Sequence, residues 1–315
     1  MNNTPVFGRA GLGLCVLLAL SAFSGCATAP RISLTVPGDQ IGSTDVHIGV
    51  NTQEIGTTID PSNVSAASGG GLIFAIIDLS IENSRAKKAE QIIIPVRNAL
   101  VGFDANGLLS TAVQQELGPI SWLKEAKIEN GQLAGKDALD NVLKKTLANS
   151  VLILETDYYF TPKFEAIVVT TKVSLHARSA SLRAKAERRA SDEAVLLYYN
   201  KLSALSYLPD SPVGLDKSVA ANRWAEENGK KAKAALETGL REVAKMIAFD
   251  LAQPGTKDHA LYASPADTKT NRVVPITANA NGGATMINVS GFEVHTDDTR
   301  AWVRTPSGEL VSVAK

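Results

Sequence analysis

Cysteine and histidine are scarce in this chain of 315 residues. Its only two cysteines are Cys15 and Cys26, so the chain beyond residue 26 has no internal disulfide and no cysteine-ligated metal site. The four histidines lie far apart, and neither metal-ligand spacing nor an HExxH motif occurs. We therefore expect no metal centre and no cofactor.

Excess charge is also absent, because 32 basic residues are balanced by 32 acidic ones. This balance argues against a nucleic-acid binder that works through bulk positive charge. Residues 131–137 have the glycines of a phosphate loop at the wrong spacing, and Asp137 stands where Ser or Thr is required. We therefore expect neither nucleic acid nor nucleotide as a partner.

Recognisable catalytic motifs are missing. No GxSxG elbow occurs, and the three SxxK pairs lack the SDN and KTG motifs that accompany a serine nucleophile. Glu155 and Asp157 share one face of a predicted strand, where paired carboxylates can perform acid–base chemistry or bind a cation. Without a third ligand we favour a solvated sheet face, and we expect no enzymatic activity.

The N-terminus has the features of an export signal. Arg9 precedes an apolar run over residues 10–23, which is shorter than the ~20 residues needed to span a bilayer. The sequence Phe23-Ser24-Gly25-Cys26 follows, and it resembles the lipobox of bacterial lipoproteins. The resemblance implies cleavage between Gly25 and Cys26 and acyl chains on Cys26. The alternative is an ordinary signal peptide, residues 1–25, followed by a chance cysteine.

The segment after the lipobox indicates where the protein resides. Ala27 resembles an outer-membrane address, since Asp at this position retains enterobacterial lipoproteins in the inner membrane. Two or three acyl chains hold a protein firmly at a membrane. Only five residues separate Cys26 from Ile32, and when fully extended they reach about 18 Å. We expect a periplasm-facing domain, anchored in the outer membrane and close to it.

Hydrophobic periodicity predicts an α+β fold. It comprises an antiparallel meander sheet, helices packed on one face, one long C-terminal helix and a small all-β segment. The predicted helices cover residues 85–101, 108–117, 137–148 and 218–251, with a bend at Gly229 or Gly239, and the meander strands cover residues 151–160, 164–177 and 194–208.

The predicted organisation along the chain has five parts. They are a signal peptide (1–25), a lipid anchor and tether (26–31), a core domain (32–253), a linker (254–271) and the β segment (272–315). Because the linker looks like a boundary, a stop after about residue 253 is expected to leave a folded core.

The element order over about residues 40–252 resembles the small α/β domain in the N-terminal part of the Tol-system translocation protein. It is also similar to that of several envelope lipoproteins. The resemblance implies an interaction module and not an enzyme.

Two segments are candidates for contact with a membrane or a protein. Residues 72–81 form the most apolar stretch after the signal and follow three glycines; the candidate contacts are Leu72, Ile73, Phe74, Ile76 and Ile77. The alternative is a core segment. A basic cluster suited to anionic head groups contains Arg178, Arg183, Lys185, Arg188 and Arg189. Its alternative is a solvated hairpin tip.

Together these features predict a lipoprotein that acts as a non-enzymatic interaction or envelope-assembly factor with a protein partner. Two alternatives stay open. One is a carrier or sensor of an apolar ligand, which requires an apolar internal pocket. The other is a hydrolase whose nucleophile and base are brought together only by the fold.

Overall fold

The computed structural model describes residues 31–52, 54–58, 83–131, 133, 137–186, 195–209, 215–252, 273–280 and 283–315. The helices are α1 (Asn83–Ala99), α2 (Ala105–Leu117), α3 (Ala138–Lys145), α4 (Ala180–Lys185) and α5 (Lys217–Ala252). The strands are β1 (Thr44–Val50), β2 (Gly56–Thr57), β3 (Lys127–Asn130), β4 (Ser150–Phe160), β5 (Ala166–Ala177), β6 (Val195–Tyr207), β7 (Val273–Ala280), β8 (Gly283–Ser290), β9 (Phe292–Thr296), β10 (Arg300–Arg304) and β11 (Leu310–Ala314).

The centre of the fold is a mixed sheet of nine strands in the order β3-β1-β4-β5-β6-β11-β10-β9, with β2 paired to the far end of β4. Strands β4, β5 and β6 form the predicted antiparallel meander. The neighbours on either side are parallel, since β1 pairs with both β3 and β4, and β11 pairs with β6. The meander is therefore confirmed as the middle of a larger mixed sheet.

Helices α1, α2 and α5 cover one face of this sheet, as predicted. Their apolar stripes and alternate residues of the strands form one continuous core, with Trp224 completely buried. Helix α5 crosses the sheet closely at Gly239, where an added Cβ would lie 2.6 Å from Cγ2 of Val169. Glycine at this position lets the helix backbone approach the strands.

Helix α3 lies on the opposite face, so the prediction that the helices share one face is wrong for it. Leu139, Val142 and Leu143 pack on Val151 and Ile153, which belong to the second face of β4. That face of β4 is apolar near its start and needs a cover of its own. Further along the same face, Val289 of β8 packs with an apolar cluster from β5, β6, β10 and β11.

The long helix α5 is interrupted near its first third. Glu226 is extended, and Glu227, Asn228 and Gly229 all have left-handed backbone angles. Gly229 also lies against the end of α1, where an added Cβ would meet Cβ of Ala99 at 2.9 Å. The bend predicted at Gly229 is therefore a full break, whereas the helix continues through Gly239.

Strands β9, β10 and β11 belong to the main sheet. Strand β11 lies beside β6, with Leu310 opposite Leu202 and Val313 opposite Leu205. Strands β7 and β8 form a separate antiparallel pair. The predicted linker, residues 254–271, lies outside the described residues. Because three C-terminal strands continue the core sheet, a stop after residue 253 would remove part of that sheet, so we no longer expect it to leave a folded core.

Candidate functional site

Several predicted contact residues lie outside the described part of the chain. These are Gly25 and Cys26 of the lipobox, the apolar residues Leu72, Ile73, Phe74, Ile76 and Ile77, and Arg188 and Arg189 of the basic cluster. Their lipid and partner contacts remain predictions.

The described members of the basic cluster are Arg178, which lies just before the short helix α4, and Arg183 and Lys185, which belong to it. Its first turn is capped by Ser179, whose Oγ accepts a hydrogen bond from the Leu182 amide at 3.3 Å. Arg178 and Arg183 are half-buried, whereas Lys185 is exposed and its Nζ lies 3.4 Å from the carbonyl oxygen of Gln40. Among these three, Lys185 is therefore the one exposed cationic residue.

The carboxylate pair of β4 makes ordinary sheet contacts. Asp157 accepts a hydrogen bond from Thr52 Oγ1 at 2.9 Å, and Glu155 stands opposite Lys172 of β5. Within the described residues, no three His, Cys, Asp or Glu side chains converge as a metal site. This arrangement agrees with the solvated-face interpretation of the pair.

An open groove of about 1040 Å³ lies on the second face, at the β3 edge of the sheet. Its floor is formed by β1 and β3, which lie parallel with His47 opposite Glu129. Helix α3 and the segment after it form one wall. We call this the edge groove; its side chains include those of Ser43, Asp45, His47, Lys127, Glu129, Asn130, Asp137, Asn141, Val142, Lys145, Thr146 and Leu147.

The charged groups on the floor of the edge groove are largely paired with one another. Glu129 binds Lys127, and its Oε2 lies 3.7 Å from Nδ1 of His47. The Lys127 hydrogen bond lowers the pKa of Glu129 and raises that of Lys127. Burial lowers the pKa of His47, which favours a neutral imidazole at pH 7. Asp45 accepts a hydrogen bond from Thr146 Oγ1.

The wall of the edge groove carries opposite charges at its two ends. Asp137 precedes the first turn of α3 and forms no side-chain cap there, whereas Lys145 ends the helix. Just beyond Lys145, Leu147 is 90% exposed. The wall therefore offers an acidic group at one end and a basic group with an exposed apolar side chain beside it at the other.

Sequence reasoning did not identify the edge groove. The sequence pattern places Asp137 at the start of a helix and leaves His47 as an isolated histidine. Both residues line the groove, whose floor forms because β1 lies between β3 and β4 in parallel register. No local motif signals this pairing, although the amphipathic pattern of α3 does show which side of that helix is polar.

A buried polar cluster lies at the other side of the sheet, around Asp250 of α5. Its carboxylate accepts hydrogen bonds from Arg304 at 2.7 Å, from Tyr198 at 2.5 Å, from Asn200 at 2.7 Å and from Arg31 at 3.0 and 3.2 Å. Burial opposes ionisation, but Arg304 and Arg31 hold the pKa of Asp250 below its usual value. The cluster joins the N-terminal segment, β6, α5 and β10.

A second buried cluster lies about two turns earlier on α5. Glu242 Oε2 accepts hydrogen bonds from Trp302 at 3.0 Å and Ser312 at 3.2 Å, and it lies 3.4 Å from Nε of Arg300. Arg300 also donates to the Leu205 carbonyl at 2.7 Å. All of these groups bind one another across α5, β6, β10 and β11, so the cluster serves to hold the C-terminal strands against the helix.

The chain matches no known protein-family model and no curated protein sequence. Within the described residues, no helix combines the length and apolar character needed to cross a membrane.

Proposed function

We propose that this chain is a lipoprotein anchored in the outer membrane through Cys26, and that it acts as a non-enzymatic interaction factor in the periplasm. The observation that supports the interaction role is the edge groove, which combines an exposed leucine with charges of both signs. We further propose that the edge groove binds an extended segment of a partner protein.

The shape of the edge groove favours an extended polypeptide. Strand β3 has β1 as its neighbour and ends the sheet, so a segment lying beside it can also reach main-chain groups of the edge strand. Helices rise 1.5 Å per residue, which separates Asp137 from Lys145 by about 12 Å. In an extended chain that distance corresponds to about four residues.

The charges of the wall then specify the partner sequence. A basic side chain of the partner pairs with Asp137, and an acidic side chain about four residues away pairs with Lys145. An apolar side chain next to the acidic one packs on Leu147. The paired groups of the floor, Lys127 with Glu129, present polar atoms without excess charge.

The proposal is tested by photo-crosslinking in intact cells from a reactive amino acid placed at position 147. Position 101 is the matched control, because Val101 is 80% exposed and lies outside the edge groove. We expect a discrete crosslinked partner from position 147 and not from position 101.

Charge reversal tests whether Lys145 pairs with an acidic residue of the partner. Lys145→Glu should abolish the crosslink from position 147, because it repels the acidic residue of the partner. Lys144→Glu is the control, since Lys144 is equally exposed but does not line the edge groove. The groove proposal is wrong if the two reversals act alike, or if positions 147 and 101 give the same products.

The anchoring part of the proposal is tested separately. Cys26→Ser removes the thiol that receives the acyl chains, so metabolic labelling with a fatty acid should fail. If the variant still incorporates the label, the lipobox interpretation is wrong. We also propose that Leu72–Ile77 and the basic cluster contact the same membrane or partner. Because the anchor brings these residues to the membrane, their proposed contacts depend on the lipidation of Cys26.

A further inference from the structure

The N-terminal segment is bound to the sheet from the first described residue. Ile32 pairs with Tyr199 of β6 through two main-chain hydrogen bonds of 2.8 and 3.0 Å, and the Thr35 amide donates to the Leu197 carbonyl at 3.1 Å. Residues 31–35, which we call the arm, therefore lie along the half of the β6 edge that β11 leaves unpaired.

The arm is fixed at its start by Arg31. The side chain of Arg31 is only 4% exposed and binds Asp250 through two nitrogen atoms. Its amide donates to the Ser307 carbonyl at 3.0 Å, in the turn between β10 and β11. Gly308 allows this close approach, because an added Cβ there would lie 2.6 Å from Cβ of Arg31. Arg31, the residue through which the domain connects to Cys26, thus lies beside this turn.

We propose that the Arg31–Asp250 ion pair acts as a clamp that fixes how the domain sits on the bilayer. The β10–β11 turn, residues 305–308, is then the surface that faces the lipid. This inference rests on the proposed lipidation of Cys26. Five residues lie between Cys26 and Ile32, so the bilayer surface is within about 18 Å of the clamp.

The clamp also determines where the edge groove is held. The strands that follow the arm across the sheet are β6, β5, β4, β1 and β3, in that order. Strand β1 is therefore the fourth strand from the arm, and β3 is the fifth. At ~4.8 Å per strand, β1 and β3 lie about 19 and 24 Å from the arm. A free tether would let the domain rotate and bring any surface to the lipid. Fixing the arm limits this rotation, and a partner can then reach the edge groove from the β3 side of the sheet, opposite the arm.

The orientation is tested with fluorophores on single cysteines in the lipidated protein, reconstituted in phosphatidylcholine vesicles that contain a head-group quencher. Cys15 belongs to the signal and Cys26 carries the acyl chains, so an introduced cysteine is the one free thiol. Pro306→Cys labels the turn and Asn130→Cys labels the β3 edge; both residues are exposed. We expect several-fold stronger quenching at position 306 than at position 130.

The clamp itself is tested with Arg31→Ala in the same two labelled proteins. Loss of the ion pair frees the arm, so the contrast between positions 306 and 130 should shrink several-fold. Arg241→Ala is the matched control, because Arg241 binds Glu237 at the surface of α5. Asp250 keeps Arg304 as a partner in Arg31→Ala, and Arg31→Gln replaces this variant if it folds poorly.

Hydrogen exchange of the lipidated protein in detergent gives an independent readout. The Ile32 and Thr35 amides should be protected in the parent protein and should exchange many-fold faster in Arg31→Ala. Equal quenching at positions 306 and 130 in vesicle-bound protein overturns the orientation while leaving the anchoring intact. If the protein does not bind vesicles, the anchoring fails and the orientation fails with it. Unprotected arm amides in the parent protein overturn the clamp.

Discussion

Replacing Asp250 with alanine should destabilise the protein more than almost any other single change on α5. The carboxylate is completely buried and accepts five hydrogen bonds, three of them from the guanidinium groups of Arg31 and Arg304. Without it, two buried cations stand next to each other with no carboxylate between them. Removing one partner of a buried ion pair costs about 3–5 kcal/mol, because the remaining charge stays buried.

The measurement is urea denaturation of the parent protein and the variant, with the free energy of unfolding compared at equal slope. Glu237→Ala is the matched control: Glu237 lies on the same helix and pairs with Arg241 at the surface. Exposed pairs of this kind contribute about 0.3–0.5 kcal/mol. If Asp250→Ala costs no more than Glu237→Ala, the Asp250 cluster does not hold the arm and β10 in place.

Two further predictions concern acid stability and the C-terminal strands. Burial lowers the pKa of His176 from 6.5 to about 4, so the unfolded chain binds a proton at pH 5 that the folded protein does not. Between pH 7.5 and 5 this lowers the free energy of unfolding by about 2 kcal/mol. His176→Gln should remove that loss in melts at the two pH values, whereas the same change at the exposed His295 should not; an unchanged loss in His176→Gln contradicts the reasoning. A stop after residue 253 should abolish cooperative unfolding, because it removes Arg300 and Arg304, the partners of Glu242 and Asp250. The measurement is a thermal melt monitored by circular dichroism. A cooperative melt of the shortened chain would show that the core folds without β9–β11.

Local patterns predicted most of the elements but few of their partners. Helix α2 and strands β4–β6 begin and end within a few residues of their predicted bounds, because each carries a clear apolar period. The break in α5 was visible only as Gly229. The left-handed angles extend to Glu227 and Asn228, and the contact of Gly229 with Ala99 of α1 is one that no local pattern encodes.

The features that the sequence could not show, namely the place of β11, the partner of Arg31 and the edge groove, all depend on pairing between distant parts of the chain. The separation of residues 272–315 from the core was inferred from the polar composition of 254–271, whereas β11 lies against β6. Arg31 was assigned to a tether, because its partner Asp250 is 219 residues away. The edge groove combines β1, β3 and α3, and its geometry depends on parallel pairings that leave no period-two signature of their own.

The shared edge of β6 has a consequence for how the chain folds as it is made. Its two halves are covered by the arm, which is synthesised early, and by β11, which is synthesised nearly last. Both contacts on this edge, Ile32 with Tyr199 and Leu310 with Leu202, join distant parts of the chain, and topologies rich in such contacts fold slowly. Strand β6 therefore keeps an open edge until the final strands emerge. During that interval it can pair with other chains, which makes this strand the place where a chaperone would be needed.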